Sequence, residues 1–217
     1  MRLEMPVSDI EALVARQLGT LFVFDPQHEG PLLKRAVAIA LQRSECCFSE
    51  TRVRSKYYVR DGEIYFNPFH SGQYAIFLYF LSNTIYREVS GSSTLSDRVY
   101  YLNKVLNGLD LFYEIEMPDA FFLDHPVGAV LGRAKYGEGF SFSQGCTVGN
   151  NKGIYPSIGR DVRMMSGSKI VGDCEIGDHV IIAANTYIKD ANIPSCSIVF
   201  GSSPDLVIKQ KSKSYFV

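Results

Sequence analysis

Net charge is nearly absent from this chain: across 217 residues, 22 lysines and arginines meet 23 aspartates and glutamates, leaving a formal charge of -1. That balance leaves no electrostatic footprint for nucleic acid, and no block of like charges reads as a binding tail. Long apolar runs are missing too. The longest candidate, YAIFLYFLSNTIY from Tyr74 to Tyr86, is interrupted by Ser82, Asn83 and Thr84 and falls short of the roughly 18 apolar residues of a membrane span. The opening stretch MRLEMPVSDIEALVARQL lacks a continuous apolar core and carries acids, so it reads as an amphipathic helix rather than a signal peptide. Cytoplasm is the expected compartment. Five cysteines, Cys46, Cys47, Cys146, Cys174 and Cys196, include no CxxC pair and are expected to be reduced and structural, with no metal among them. What remains is an ordinary globular composition, 46% hydrophobic and 21% charged, long enough for one large domain or two small ones.

Up to about Asp110–Pro118 the signals are helical. Ser8 and Glu11 form a capping-box pattern ahead of Ile10, Leu13, Val14, Leu18 and Leu21, whose spacing gives one apolar face. A second helix is expected over Leu32–Leu41, a third from Gln73 to about Val89 and a fourth from Ser96 to about Leu106, with Gly91 and Ser92 between the last two. Within KYYVRDGEIYF, the Asp61-Gly62 pair between two aromatic and β-branched runs predicts a hairpin or a turn. Tyr74, Phe77, Tyr79, Phe80 and Tyr86 offer a stacking platform for a sugar or a base, but their helical spacing favours core and subunit contact.

Beyond Pro118 the period changes. Ile158, Met164, Ile170, Ile176, Ile182 and Ile188 follow one another at six-residue steps, separated by small or polar residues such as Gly172, Gly177, Asp178, Ala183 and Asn185. Neither a 3.6-residue nor a two-residue period produces that spacing. It is the period of a β-helix in which each hexad forms one flat side of a triangular coil, about 18 residues per rung, with the sixth residues inside. Ala134, Phe140 and Cys146 extend the same register backwards, and GNNKGIYP predicts a loop protruding near 150–156. A solenoid leaves open ends and sides, so a helical cap and oligomer contacts are expected to cover them.

The motifs FFLDHPVGAVLG from Phe121, SQGCTVG from Ser143, MMSGSKIVGDCEIGD from Met164 and GSSPDLVIK from Gly201 resemble those of the hexapeptide-repeat acyltransferases, and specifically the serine acetyltransferases. The resemblance covers roughly Glu114 to Lys209; the helical half resembles the family only in size and order. It implies an α+β fold, with a mostly helical domain over 1–112, a left-handed parallel β-helix over 113–209 and a tail over 210–217. It also implies acetyl transfer from acetyl-CoA to a hydroxyl, with His125 as the general base that takes the hydroxyl proton, a role suited to imidazole near neutral pH. Without the resemblance, a histidine satisfied by a turn is the favoured reading of His125. Asp124 matches the family residue that contacts the acceptor, and Glu114 is the nearest counterpart of the carboxylate that orients the base. The donor is expected at Gly149, Ser166, Gly167 and Ala184, with Lys209 as a phosphate contact, although each glycine also reads as a coil corner. A homotrimer, or a dimer of trimers, is implied as well. Of the remaining histidines, His28, His70 and His179, the last falls at a hexad corner and is expected to face solvent.

Two departures bear on the acceptor. Ile154-Tyr155-Pro156 stands where the family has Arg-His-Pro, and Gly132-Arg133 stands where it has Gly-Glu. Losing the carboxylate that Arg133 replaces, which would pair an ammonium, weighs against a free amino acid, because a buried charge without its partner is costly. The expected acceptor is therefore a sugar or glycan-related hydroxyl, touched by Tyr155 and Arg133, with serine O-acetylation for cysteine synthesis as the alternative. Two other classes use such coils. A metal-bearing hydratase of the γ-carbonic anhydrase type needs three converging histidines, which His125 and His179 do not supply; a non-enzymatic scaffold would fail to bind CoA.

Overall fold

The computed structural model describes residues 1–50, 57–88 and 94–216. The chain divides into two units, one of Met1–Asn107 with Phe112–Glu114, the other of Gly108–Leu111 with Ile115 onwards. In the first unit, β1 (Arg2–Leu3) is followed by α1 (Val7–Leu21), α2 (Gly30–Glu50), β2 (Val59–Arg60), β3 (Glu63–Phe66), α3 (Ser71–Glu88) and α4 (Thr94–Asn107). The expected capping box does not form. Pro6 occupies the cap, its carbonyl accepts from Asp9 and Ile10, and Ser8 Oγ turns to Asp9 instead. The α1 stripe of Ile10, Leu13, Val14 and Leu18 is buried, whereas Leu21 is exposed. α2 runs well past the expected end because polar residues along it find partners: Ser44 Oγ donates to the Ala40 carbonyl, and Arg43 donates to Asn83 and Thr84.

α3 is buried almost all round, which settles its aromatic residues as core: Tyr74, Phe77, Tyr79 and Phe80 are inside. Its buried amides are satisfied, Gln73 by Asn67 N–H and the Tyr57 carbonyl, Asn83 by the Tyr113 carbonyl. The hairpin appears as expected, with Asp61 and Gly62 both at positive φ between β2 and β3, and β1 adds to β3 in parallel. Lys56, Val89, Gly91, Ser92 and Val217, named in the sequence reading, lie outside the described residues.

The second unit is a parallel β-helix. After β4 (Asp110–Leu111), the first coil contains β5 (Phe121–Asp124), β6 (Val130–Leu131) and β7 (Lys135–Tyr136). The next contains β8 (Phe140–Ser143), β9 (Thr147–Gly149) and β10 (Ser157–Ile158), and the third β11 (Arg163–Met164), β12 (Lys169–Val171) and β13 (Glu175–Ile176). β14 (Val180–Ile182) and β15 (Tyr187–Lys189) follow, then β16 (Ser197–Ser202), which turns back antiparallel into β17 (Asp205–Gln210). β5, β8, β11, β14 and β16 stack as one face; β4, β6, β9, β12 and β15 stack as the second; β7, β10 and β13 stack as the third.

The hexad residues point inward as expected: Ile158, Met164, Ile170, Ile176, Ile182 and Ile188 are all buried. Ile158 pairs with Ile176, Met164 with Ile182 and Ile170 with Ile188, an 18-residue rise each time. Before the loop the register is corrected by two positions. The residues stacked under Ile158, Met164 and Ile170 are Tyr136, Phe142 and Val148, each 22 positions earlier, rather than Ala134, Phe140 and Cys146. The 150–156 loop inserts four residues into that coil, and four is not a multiple of six. Phe140 and Cys146 are nonetheless buried, because the coil carries a second inward row.

At the corners, polar side chains lean onto the preceding coil. Asp178 Oδ1 accepts from Arg160 N–H and Asp190 Oδ1 from Asp173 N–H, and such a cap requires a bare backbone beneath it. Gly167, at φ +71°, is the clear case: a Cβ there would stand 2.4 Å from Asn185 Oδ1.

Candidate active site

The corner between the first and second faces begins with Asp124, the last residue of β5, and His125 at φ +49°. A non-glycine residue in that region costs of order 1–3 kcal/mol and persists only where its surroundings hold it. Here Val127 N–H donates to the His125 carbonyl, Gly128 N–H to the Gly108 carbonyl and Gly145 N–H to the Val127 carbonyl. The turn throws the imidazole outward. Its side chain is 83% exposed, with Nε2 3.6 Å from Asp124 Oδ1, and among the described residues the ring makes no hydrogen bond. The turn therefore does not satisfy this histidine.

Above it in the same corner stack Gln144 and Gly145, then Ser166 and Gly167, then Ala184 and Asn185, joined by Gly167 N–H to the Gln144 carbonyl and Asn185 N–H to the Ser166 carbonyl. Ala184 is exposed and Ser166 half-buried. Two apolar residues that the motifs did not flag, Val127 at 66% and Met165 at 44%, are exposed on this corner. Their only sequence signal was an apolar side chain at a turn.

Gly149, Arg133 and Tyr155 stand elsewhere, at the corner between the second and third faces. Arg133 follows β6, Gly149 ends β9, and Tyr155 belongs to the loop whose far end is tied down by Lys135 N–H to the Pro156 carbonyl. The two corners are separated by the width of the second face, five or so residues, or about 16 Å of extended chain. Within one chain His125 and Tyr155 do not meet. Lys209 lies on β17 opposite Ile198, its ammonium 5.3 Å from the centre of the Phe200 ring. Glu114 belongs to the segment grouped with the helices, so the carboxylate set beside the imidazole within the coil is Asp124.

The glycines also separate. A Cβ on Gly167 would collide with Asn185, so the coil itself demands that glycine; a Cβ on Gly149 would meet nothing within 4 Å. His179 is corrected: it is buried, at 9% exposure, with Nδ1 3.3 Å from Asp161 Oδ2 but without hydrogen-bond geometry. The corner cap turns its side chain onto the coil below instead of outward. An open cleft of about 630 Å³ on the third face, lined by Ser157, Glu175, Ile176 and Ser195 among others, holds none of the expected site residues. No group of three or more potential metal ligands occurs among the described residues.

Residues 155–190 match the bacterial transferase hexapeptide (six repeats) family. The chain carries hexapeptide repeats and is serine acetyltransferase-like in sequence and fold. It is 26% identical over 149 residues to a serine acetyltransferase of Staphylococcus epidermidis, an overlap of 66% of this chain and 68% of that one. Among solved structures, the serine acetyltransferase of Neisseria gonorrhoeae superposes with a TM-score of 0.74 at 18% identity, covering 98% of this hexapeptide-repeat protein and 83% of that chain. A serine acetyltransferase in complex with CoA gives a TM-score of 0.70 at 18% identity, over 92% and 83% of the two chains. Among the described residues, no helix of the hexapeptide-repeat protein is long and apolar enough to cross a membrane.

Proposed function

We propose that this hexapeptide-repeat protein is an O-acetyltransferase that moves the acetyl group of acetyl-CoA to a hydroxyl, with L-serine as the acceptor the relatives favour. The observation that carries the reading is the outward His125 imidazole beside Asp124, on a left-handed turn in the same corner as Ser166, Gly167 and Ala184. Acetyl-CoA supplies a thioester carbonyl open to attack by an oxygen nucleophile. His125 accepts the hydroxyl proton at the ring nitrogen turned away from Asp124 and holds it until the departing sulfur takes it. Asp124 steadies the charged ring and faces the acceptor; the orienting role expected of Glu114 remains part of the proposal. The residues fit the donor: Ala184 leaves room at the corner, Val127 and Met165 offer apolar contact, and Gly149 leaves open space where a side chain would stand. Lys209 offers a cation for phosphate.

The separation of the two corners supports a homotrimer, since Tyr155, Arg133 and Gly149 can reach a His125 corner only if a second chain brings them. Trimers pairing through their helical units would give a hexamer, which sedimentation resolves. A reaction that releases a thiol, and five free cysteines, suit the reducing cytoplasm. A sugar hydroxyl is the second reading, favoured by Arg133 and Tyr155 in place of the family's residues. Thiol release from acetyl-CoA, with L-serine and then a panel of sugars and nucleotide sugars, tests both. Turnover that His125→Ala lowers by about 10²–10⁴-fold supports the mechanism; an active His125→Ala protein, or no release with any acceptor, refutes it.

A further inference from the structure

The loop carrying Tyr155 is held more firmly than its polar sequence suggests. Asn151 and Ile154 exchange both backbone hydrogen bonds, at 3.1 and 3.0 Å, around Lys152 and Gly153 at φ +52° and +81°. This is a tight two-residue turn of the kind that closes hairpins. Its attachment to the coil is a side-chain contact reaching 39 positions along the chain: Asn151 Nδ2 donates to Asp190 Oδ2 at 2.6 Å. Asp190 is itself fixed, at φ +48°, with its other carboxylate oxygen accepting from Asp173 N–H at 2.9 Å. The two side chains meet over Gly172, where a Cβ would lie 2.0 Å from Asp190 Oδ1 and 2.6 Å from Asn151 Cβ. Three successive coils thus converge on one contact, and the residue that follows the turn is Tyr155.

We propose that Asp190 is a positioning residue for the acceptor: through Asn151 it locks the 151–154 turn and so fixes Tyr155 where a second chain's His125 corner receives the acceptor. This rests on the reading of the protein as a trimeric O-acetyltransferase. Neither Asp190 nor Asn151 touches the reacting atoms; they act by removing freedom from the loop before the acceptor arrives, which affects acceptor binding and leaves the donor alone.

The test is a charge swap with two readouts. Asn151→Asp sets two carboxylates against each other, whereas Asn151→Asp with Asp190→Asn restores one donor and one acceptor and keeps an oxygen for Asp173 N–H. In the single variant the acceptor KM should rise roughly three- to ten-fold, the size of one lost hydrogen bond. The acetyl-CoA KM should stay unchanged, and amide hydrogen exchange over 151–154 should speed up; the double variant should recover both. Faster exchange with an unchanged acceptor KM overturns the proposal, because the latch would then serve no acceptor. Equal rises in both KM values, or no recovery in the double variant, overturn it as well. A wild-type protein that releases no CoA with any acceptor fails the underlying reading and the proposal with it, and is told apart because loop exchange still responds to the swap.

Discussion

Gly149 and Gly167 resemble each other in sequence, yet the structure assigns them opposite reasons for being glycine, and alanine at each separates the reasons. At Gly167 the backbone sits at φ +71° and the added methyl would stand 2.4 Å from Asn185 Oδ1. The left-handed conformation costs an alanine about 1–2 kcal/mol, and displacing the Asn185 cap adds about 1 kcal/mol. The lower entropy of the unfolded alanine chain returns about 0.4–1 kcal/mol. The net loss, about 2 kcal/mol, corresponds to a fall in Tm of about 4–8 °C for a chain of this length. At Gly149 a methyl meets nothing within 4 Å, so Tm should hold or rise slightly. If the donor runs against that backbone, the acetyl-CoA KM should rise while the acceptor KM does not. Scanning calorimetry and steady-state kinetics on the two variants read both effects. Equal destabilisation would refute the assignment of Gly167 to the coil and Gly149 to the ligand. So would a Gly149→Ala protein with unchanged Tm and unchanged acetyl-CoA KM.

Other outcomes follow from the same geometry. Ile182 is fully buried in the hexad row, so Ile182→Ala should cost about 2–5 kcal/mol and Ile182→Val about 0.5–1.5 kcal/mol by denaturant titration; near-equal losses would mean the row is loosely packed. Asp124→Asn should lower kcat more than Glu114→Gln does if the carboxylate beside the ring steadies the imidazolium, and the reverse order would return that role to Glu114. Burial lowers the pKa of His70, with the positive charge of Arg60 adding to the effect, and its Nδ1 accepts from Gln73 N–H. The unfolded chain then binds the extra proton first, so stability present near neutral pH should be lost as pH falls from about 6.5 towards the lower folded value. His70→Gln should flatten that slope in pH-dependent melts, and an unchanged slope would place its origin elsewhere.

Which parts of the fold could be read from the sequence follows from how local each cause is. The six-residue steps from Ile158 to Ile188 are a covalent count, and burial of those side chains reproduced them. The same count failed across the loop, because the number of residues a protrusion adds is free of the hexad period; Tyr136, Phe142 and Val148 took the places assigned to Ala134, Phe140 and Cys146. The capping box failed for a competing local reason, since Pro6 already supplied a carbonyl and an extended backbone at the helix start. α2 outran its apolar stripe because the partners of Arg43 lie 40 and 41 residues away, a distance that no window of periodicity spans.

The candidate site divides along the same line. That His125 would sit at a turn was legible from LDHP; that the turn would be left-handed and leave the ring exposed depended on backbone bonds to Gly108 and Gly145, set by coil stacking. The outcome at His179 was opposite for a related reason. Both histidines occupy corners at positive φ, but His179 has a coil beneath it presenting Asp161, whereas His125 lies in the first coil. Asp178, Asn185 and Asp190 lean onto the preceding coil in the same way. Reactive groups on such a helix are therefore free to point outward where the stack starts or where an insertion breaks it, and these are the two places, His125 and the loop of Tyr155, to which the proposed chemistry is assigned. A chain with the loop shortened by its four inserted residues should keep the coil and lose the acceptor side. Retained acceptor KM in that variant would show that the interruption is structural only.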